Sequence, residues 1–360
     1  MITAGLKKRD AQLLPLVAAV EANRERITAA LVDERARILA RCQCEAPQTS
    51  ARAAIKAMTR LLLEAAHSAE RGASEIKAIG LSVPGSIERQ TGRVSSPEIK
   101  GWERLLLRPM IEEELASAGL DIRTSSLRKT SRAEKSASAH PLIVINSDHV
   151  THVAAEAWCG IARGKQHVVF VKLDTNLSAG IISDGHLLRG VGGEAGAAGW
   201  LALSEGFSDE YAGEGCLKTE ASSTALVRRT IEAWKSGDNS LLSRLTVADA
   251  AQLTPALIIR AARGGDALAL KVVTETCAWI GRGVAELIST LNPEVLVVGG
   301  EFGLALRPFL NHIRREARLW AHPVAARQCR ILSSTLRQTA GLLGAARLAW
   351  LESMGQYRLR

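Results

Sequence analysis

The residues best suited to gripping a small ligand lie in the stretch Val168 to Trp200, VVFVKLDTNLSAGIISDGHLLRGVGGEAGAAGW. Gly190, Gly192, Gly193, Gly196 and Gly199 give a backbone that can take positive φ and approach a ligand closely, with Glu194 as the only charge among them. A second carboxylate, Asp148, follows the apolar run Leu142 to Ile145 at a strand-to-helix junction. A carboxylate there caps the helix, and the residues alone read Asp148 as structural rather than as a general base. His149, His152 and Glu156 recur near one face of the same helix at a loose metal-like spacing. With no further ligand in view, their expected place is the surface. Cys42 and Cys44 fit inert packing on one face of a strand, and Cys216 stands alone, so neither a disulfide framework nor a zinc site is expected.

These groups need a scaffold, and the apolar pattern supplies one. Val168 to Val171 and Ile181-Ile182, with Ser183-Asp184-Gly185 beyond, predict a hairpin ahead of the glycines. Earlier, Val17 to Val20, Ile27 to Val32 and Ala36 to Gln43 read as three strands. A helix spans Ser50 to Arg71 with Thr49 or Ser50 as its cap, and a strand from Ile76 to Ser82 ends in Val83-Pro84-Gly85. Leu105 to Ala118 reads as a helix and Leu142 to Ile145 as a strand. Helices follow over Ser222 to Trp234 and Ala248 to Arg263, then a long one from Gly264-Gly265-Asp266 to about Leu291. Val295 to Val298 is a buried strand closed by Gly299-Gly300, a strand-to-helix turn, and the last helix carries Gly344-Ala345-Ala346. Arg123 to His140, rich in Ser, Lys and Arg, reads as an inserted, solvated flexible loop without a recognition helix.

At 360 residues, with 47% hydrophobic and 23% charged residues and few aromatics, the chain is long enough for two lobes built on Ala, Leu, Val and Ile, which suits α/β packing. Lys7-Lys8-Arg9 ahead of Leu13 to Val20 imitates a secretory signal. Asp10, Pro15 and the charged Glu21 to Glu25 make that run a buried strand instead. No apolar run approaches the about 18 residues that cross a bilayer, and the reading is a cytoplasmic protein. The net charge of +9 is uneven, with ten arginines against two glutamates between Arg307 and Arg360. The expectation there is a solvated basic helical surface.

Taken together the motifs resemble the ROK family of repressors, open reading frames and sugar kinases, across about Val17 to Leu348. The family hairpin reads close to LGTGIGAGI and here LDTNLSAGI. The GExGH box reads GEAGAAG, and of the CxCGxxGCLE zinc motif only Gly215-Cys216-Leu217 survives. Glu156 of AAEAWCG sets the register of the family's ENDxNAAxxAE segment. The resemblance then implies that Asp148 falls on the catalytic base and that Ser147 replaces a sugar-contacting Asn. It further implies that Glu194 is the sugar-binding Glu, that Ala197 stands in place of a His, and that Lys218 replaces a sugar-contacting Glu. Gly85 lies in the Pro-Gly turn of IGLSVPG, and Glu98 stands where an Asn near the sugar is usual. Gly299 and Gly300 lie near the nucleotide's adenosine end. The family's first phosphate turn, DxGGT, falls on Glu21 to Glu25, whose side chains are expected to fill the phosphate space. Asp174, Asn176 and Ser178 likewise replace glycines of the second phosphate turn.

The implied fold is a two-lobed actin-like ATPase (ribonuclease H-like) α/β fold with a ligand cleft between the lobes. Its expected divisions are an extension (1–16), an N-terminal lobe (17–147), a C-terminal lobe (148–345) and a helix end (346–360) packing back on the N-terminal lobe. The implied function is a non-catalytic carbohydrate-binding regulator or pseudokinase, with no cofactor and no structural zinc. The alternative is an ATP-dependent kinase for a hexose or amino sugar, using Mg-ATP and Asp148 as base. Residues 1–16 are too few for a DNA-reading module, so the expected partners are a small carbohydrate, possible protein partners and copies of the chain in a homodimer or homotetramer. No sequence-specific DNA binding and no membrane are expected.

Overall fold

The computed structural model describes residues 16–71, 75–97, 99–119, 141–235, 240, 242 and 252–359. Strands β1 (Leu16–Ala22), β2 (Arg26–Asp33) and β3 (Ile38–Glu45) form an antiparallel meander, followed by helix α1 (Ala51–Ser68) and strand β4 (Ile76–Val83). Short strands β5 (Ser86–Glu88), β6 (Arg93–Ser95) and β7 (Leu105–Leu106) make a small separate sheet ahead of α2 (Leu107–Ser117), β8 (Leu142–Ser147) and α3 (Asp148–Trp158). The second half opens with another meander, β9 (Val168–Leu173), β10 (Leu177–Ser183) and β11 (His186–Leu188). Helices α4 (Asp209–Glu214), α5 (Cys216–Ala221), α6 (Ser223–Lys235), α7 (Pro255–Arg263) and α8 (Ala267–Leu291) follow. The chain ends with β12 (Val295–Gly299), α9 (Glu301–Ala305), α10 (Leu310–Trp320), α11 (Pro323–Gln328), β13 (Arg330–Ser333) and α12 (Ala340–Ser353).

The two large sheets share one plan. Their orders, β3-β2-β1-β4-β8 and β11-β10-β9-β12-β13, each continue the innermost strand of a meander into two parallel strands. The β1–β2 and β9–β10 turns therefore occupy equivalent places in the two lobes. β1 and β2 are buried almost throughout because both faces are covered, whereas β3 alternates. Cys42 and Cys44 share its inner face and pack on the core of the first lobe.

Local chemistry fixes the helix starts. Ser50 accepts the Ala53 amide, Thr254 that of Leu257 with Pro255 in the first turn, and Asp266 that of Ala269. Several boundaries differ from the sequence reading: the helix expected from Ala248 starts at Pro255, behind its Thr254 cap, and α1 ends at Ser68 rather than Arg71. β3 starts at Ile38, because Asp33 Oδ1 accepts the Arg35 and Arg37 amides and holds Ala36 in a left-handed turn at φ 63°. Leu105 and Leu106 are strand, since they complete the small sheet beside β6, and the helix begins at Leu107.

The lobes exchange their closing helices. α3 follows the first sheet but lays Val150, Val153 and Ala154 against Val168, Phe170 and Ile182 of the second. α12 follows the second sheet and lays Leu342, Leu343, Ala345, Ala346 and Ala349 against Val17, Ala19, Val32, Ala78 and Val144 of the first. The division expected at 345/346 thus falls inside one continuous helix. The two helices cross so closely that a Cβ on Gly344 would sit 1.7 Å from the Thr151 carbonyl oxygen. Among the described residues no helix is long and apolar enough to cross a membrane. The 123–140 loop, Glu98 and residues 1–15 lie outside the described residues.

Candidate functional site

The cleft chemistry begins with a lateral row of polar side chains. Glu21, Ser82 and Asn146 are neighbours in register across β1, β4 and β8, near the ends of otherwise apolar strands. Ser82 Oγ lies 2.7 Å from Thr151 Oγ1 of α3. Asn146 is buried, and among the described residues its Nδ2 has no hydrogen-bond partner.

Two residues beyond Asn146 the strand gives way to α3, whose first residue is Asp148. One carboxylate oxygen, Oδ1, accepts the His149 amide at 2.7 Å; the other, Oδ2, lies 2.8 Å from Lys172 Nζ. His152 Nδ1 stands 2.6 Å from the Asp148 carbonyl oxygen, which can only accept, so that nitrogen carries the ring proton. Lys172 also pairs with Asp174 Oδ2 at 3.1 Å, and Asp174 Oδ1 accepts the Phe302 amide in the first turn of α9 at 3.1 Å. A carboxylate of the chain itself therefore occupies a helix N-terminus in the second lobe, a place that suits an anion.

Burial works to raise the Asp148 carboxyl. Lys172, the hydrogen bond and charge of His149, and His152 outweigh it and hold the group far below the usual carboxylate range. Glu21 is the opposite case. Burial dominates and pushes its carboxyl up, despite the offsetting charges of His152, Lys172 and Arg26. Room for that carboxylate exists because residue 341 is glycine: a Cβ there would stand 2.3 Å from Glu21 Oε1.

The two equivalent turns are closed by their own side chains. In the first, Asn23 Oδ1 accepts the amides of Glu25 at 2.9 Å and Arg26 at 2.8 Å. Asn23, Arg24 and Glu25 are exposed, which corrects the expectation that side chains fill this space. What is removed is donor capacity, because the turn's amides already have an acceptor. In the second turn, Asn176 Oδ1 accepts the Leu177 amide and its carbonyl accepts that of Asp174, both at 3.0 Å.

A second group assembles on the other wall. Gly190, Gly192, Gly193 and Gly196 all have positive φ, and the Val191–Gly193 turn packs against β5, where a Cβ on Gly193 would lie 3.2 Å from the Ile87 carbonyl oxygen. Gly85, at φ 97°, turns the chain from β4 into β5, with no space for a side chain beside Ser95. Glu194 is exposed. Lys218 borders the same loop, its Cβ against Gly199, and pairs with Glu214 one helical turn away. Ser147 is buried in the N-cap position of α3, where its side chain makes no capping bond. Among the described residues no hydrogen bond or ion pair joins Asp148 to Glu194 or Lys218. Gly299 and Gly300 are required by packing: side chains there would strike the Phe170 ring and the Leu173 backbone.

His149, His152 and Glu156 are not on the surface as expected. His152 and Glu156 are buried and His149 nearly so, because α3 lies between the second sheet and α12. Glu156 accepts from Ser334 Oγ and from the Ile161 amide, which makes it a brace between α3 and the segment after β13. Among the described residues no three or more His, Cys, Asp and Glu are arranged to hold a metal. Lys172 escaped the sequence reading, although it is the one charge in the otherwise apolar strand VVFVKL.

A ROK family model matches residues 17–122 and 136–351. A glucokinase of Halalkalibacterium halodurans is 30% identical over 280 residues, 77% of this chain and 76% of that protein. A xylose repressor of Caldicellulosiruptor bescii is 26% identical over 273 residues, 75% of this chain and 61% of that protein. The structure of a ROK family glucokinase from Streptomyces griseus, solved with glucose and AMPPNP, superimposes with a TM-score of 0.75 at 25% identity over 93% of this chain and 99% of that one. The architecture is the two-lobed fold of the actin-like sugar kinases, and the chain belongs to the ROK family.

Proposed function

We propose that this chain is a non-catalytic ROK protein, a carbohydrate-binding regulator whose cleft holds a sugar without phosphorylating it. The observation that carries the reading is the Lys172 clamp on Asp148. A general base must take a proton from the sugar hydroxyl as the bond to phosphorus forms. Asp148 is stabilised as the anion by an ammonium at 2.8 Å, so its proton affinity is poor and the oxygen that would accept is engaged. Both phosphate-side turns point the same way, one by capping its own amides with Asn23 and the other by placing Asp174 at the α9 N-terminus. Magnesium, which ATP-dependent sugar transfer would require, does not fit beside these carboxylates while the Lys172 ammonium stands between them. On the sugar side, Glu194 and Lys218 would bind hydroxyls from the glycine-loop wall, and Ser147 and Asp148 from the head of α3. Gly85 would keep the opposite wall thin, and the basic Lys218 would favour an acidic or phosphorylated sugar.

An ATP-dependent sugar kinase is the second reading, favoured by the 30% identity to a glucokinase over three-quarters of the chain and by the place of Asp148 at the head of α3. Calorimetric titration with a panel of neutral, amino and phosphorylated sugars, followed by Mg-ATP, separates the two. The regulator binds a sugar and shows neither ATP heat nor sugar-dependent ADP release. ADP release that Asp148→Asn abolishes establishes the kinase.

A further inference from the structure

Two carboxylates from separately positioned elements converge on one ammonium. Asp148 comes from the head of α3 and Asp174 from the turn after β9, and both pair with Lys172, whose charge also reaches Glu21 at the end of β1. Asp148 and Asp174 are built alike: each gives one oxygen to a backbone amide, of His149 and Phe302 respectively, and presents the other to Lys172 Nζ at 2.8 and 3.1 Å. The Lys172 and Asp148 side chains are 14% and 13% exposed, so their charges are little screened by water. The spacing is that of ammonium hydrogen bonds. A magnesium ion would instead draw oxygens to about 2.0–2.1 Å in an octahedron completed by water.

We propose that the Lys172 ammonium is a tethered replacement for a divalent cation. Asp148 and Asp174 bring two carboxylates to one point, and their charge is neutralised from within by a residue of β9. The wild-type chain therefore binds its ligand with no divalent ion at this place, and removal of the one ammonium turns the same carboxylates into a divalent-cation site. The inference adds to the reading above a reason for refusing Mg-ATP, but it is tested on the cation alone. Its failure is thus distinct from a failure of the regulator reading, which rests on sugar and ADP measurements.

The probe is Mn²⁺, followed by loss of the free-ion electron paramagnetic resonance signal and by calorimetry, on the full chain without nucleotide. Wild type and Lys172→Arg should take up no Mn²⁺ at this place, whereas Lys172→Ala should bind one ion at least tenfold more tightly than wild type. Adding Asp174→Asn to Lys172→Ala should cancel that gain. If Lys172→Ala does not fold without metal, Lys172→Gln, which keeps most of the side-chain volume and removes the charge, is read in the same way. Two results overturn the proposal: wild type binding one Mn²⁺ as tightly as the variant, or a folded Lys172→Ala or Lys172→Gln that gains nothing.

Discussion

Replacing Gly341 with alanine tests whether the Glu21 carboxylate is held where the structure puts it. Gly341 is the second residue of α12, where alanine would ordinarily add up to about 1 kcal/mol through helix propensity. Here the new methyl would meet Glu21 Oε1 at 2.3 Å and Cδ at 2.4 Å, far inside contact distance. Glu21 would have to swing away from Lys172 and His152, or α12 would have to lift off β1. Overpacking of this kind costs about 1–3 kcal/mol, so with the propensity gain set against it the net expectation runs from about zero to a loss of about 2 kcal/mol. The assay is urea unfolding of four proteins: wild type, Gly341→Ala, Glu21→Ala and the double variant. In the Glu21→Ala background the obstacle is gone, and Gly341→Ala should become neutral or stabilising, giving a coupling of about 1–3 kcal/mol. A Gly341→Ala effect that is unchanged when the Glu21 carboxylate is removed, giving no coupling, would refute the placement.

Other expectations follow from the same geometry. Gly344→Ala should cost about 3 kcal/mol or more, or leave no soluble protein, because its methyl would meet a backbone carbonyl, at 1.7 Å, that cannot rotate away; thermal unfolding decides this. The depressed Asp148 carboxyl stabilises the fold fully above the ordinary carboxylate value of about 4, and the contribution is lost as pH falls below it. Stability of wild type should therefore drop more steeply below about pH 4 than that of Asp148→Asn. Glu21 has the opposite sign. Its raised carboxyl makes the folded state bind more protons than the unfolded one just above pH 4.5, so stability declines as pH rises through that window, and Glu21→Gln should flatten the decline. Cys277, fully covered and pushed up to about 12 by burial, should resist a thiol reagent at pH 8 until the protein is unfolded.

Elements were legible in the sequence where local chemistry decides them. Ser50 and Asp266 cap the helices they were expected to start, and the glycines after Leu188 form the positive-φ loop their composition implied. The failures share a cause, which is that they depend on what arrives from elsewhere in the chain. His152 and Glu156 look like one polar stripe of a surface helix. They are buried because partners from far along the chain cover them: the Phe170 ring of the second sheet lies 5.2 Å from that of His152, and Ser334 after β13 donates to Glu156. A lone lysine in an apolar strand usually extends its ammonium into water. Lys172 does not, since Asp148 and Asp174 receive it and Glu21 adds its charge to the same place. The first phosphate-side turn was read for lost glycines, while its principal change is that Asn23 accepts the amides.

The exchange of closing helices has a consequence for the order in which the protein can be made. The face of the first sheet formed by Val17, Ala19, Val32, Ala78 and Val144 is covered by α12, which lies about 200 residues or more beyond it in sequence. During synthesis that face is complete in sequence while its cover is still unmade, so the half that emerges first cannot finish its core first. The nascent first lobe is expected to keep an apolar surface open until the 14 residues of α12 are free to pack on it.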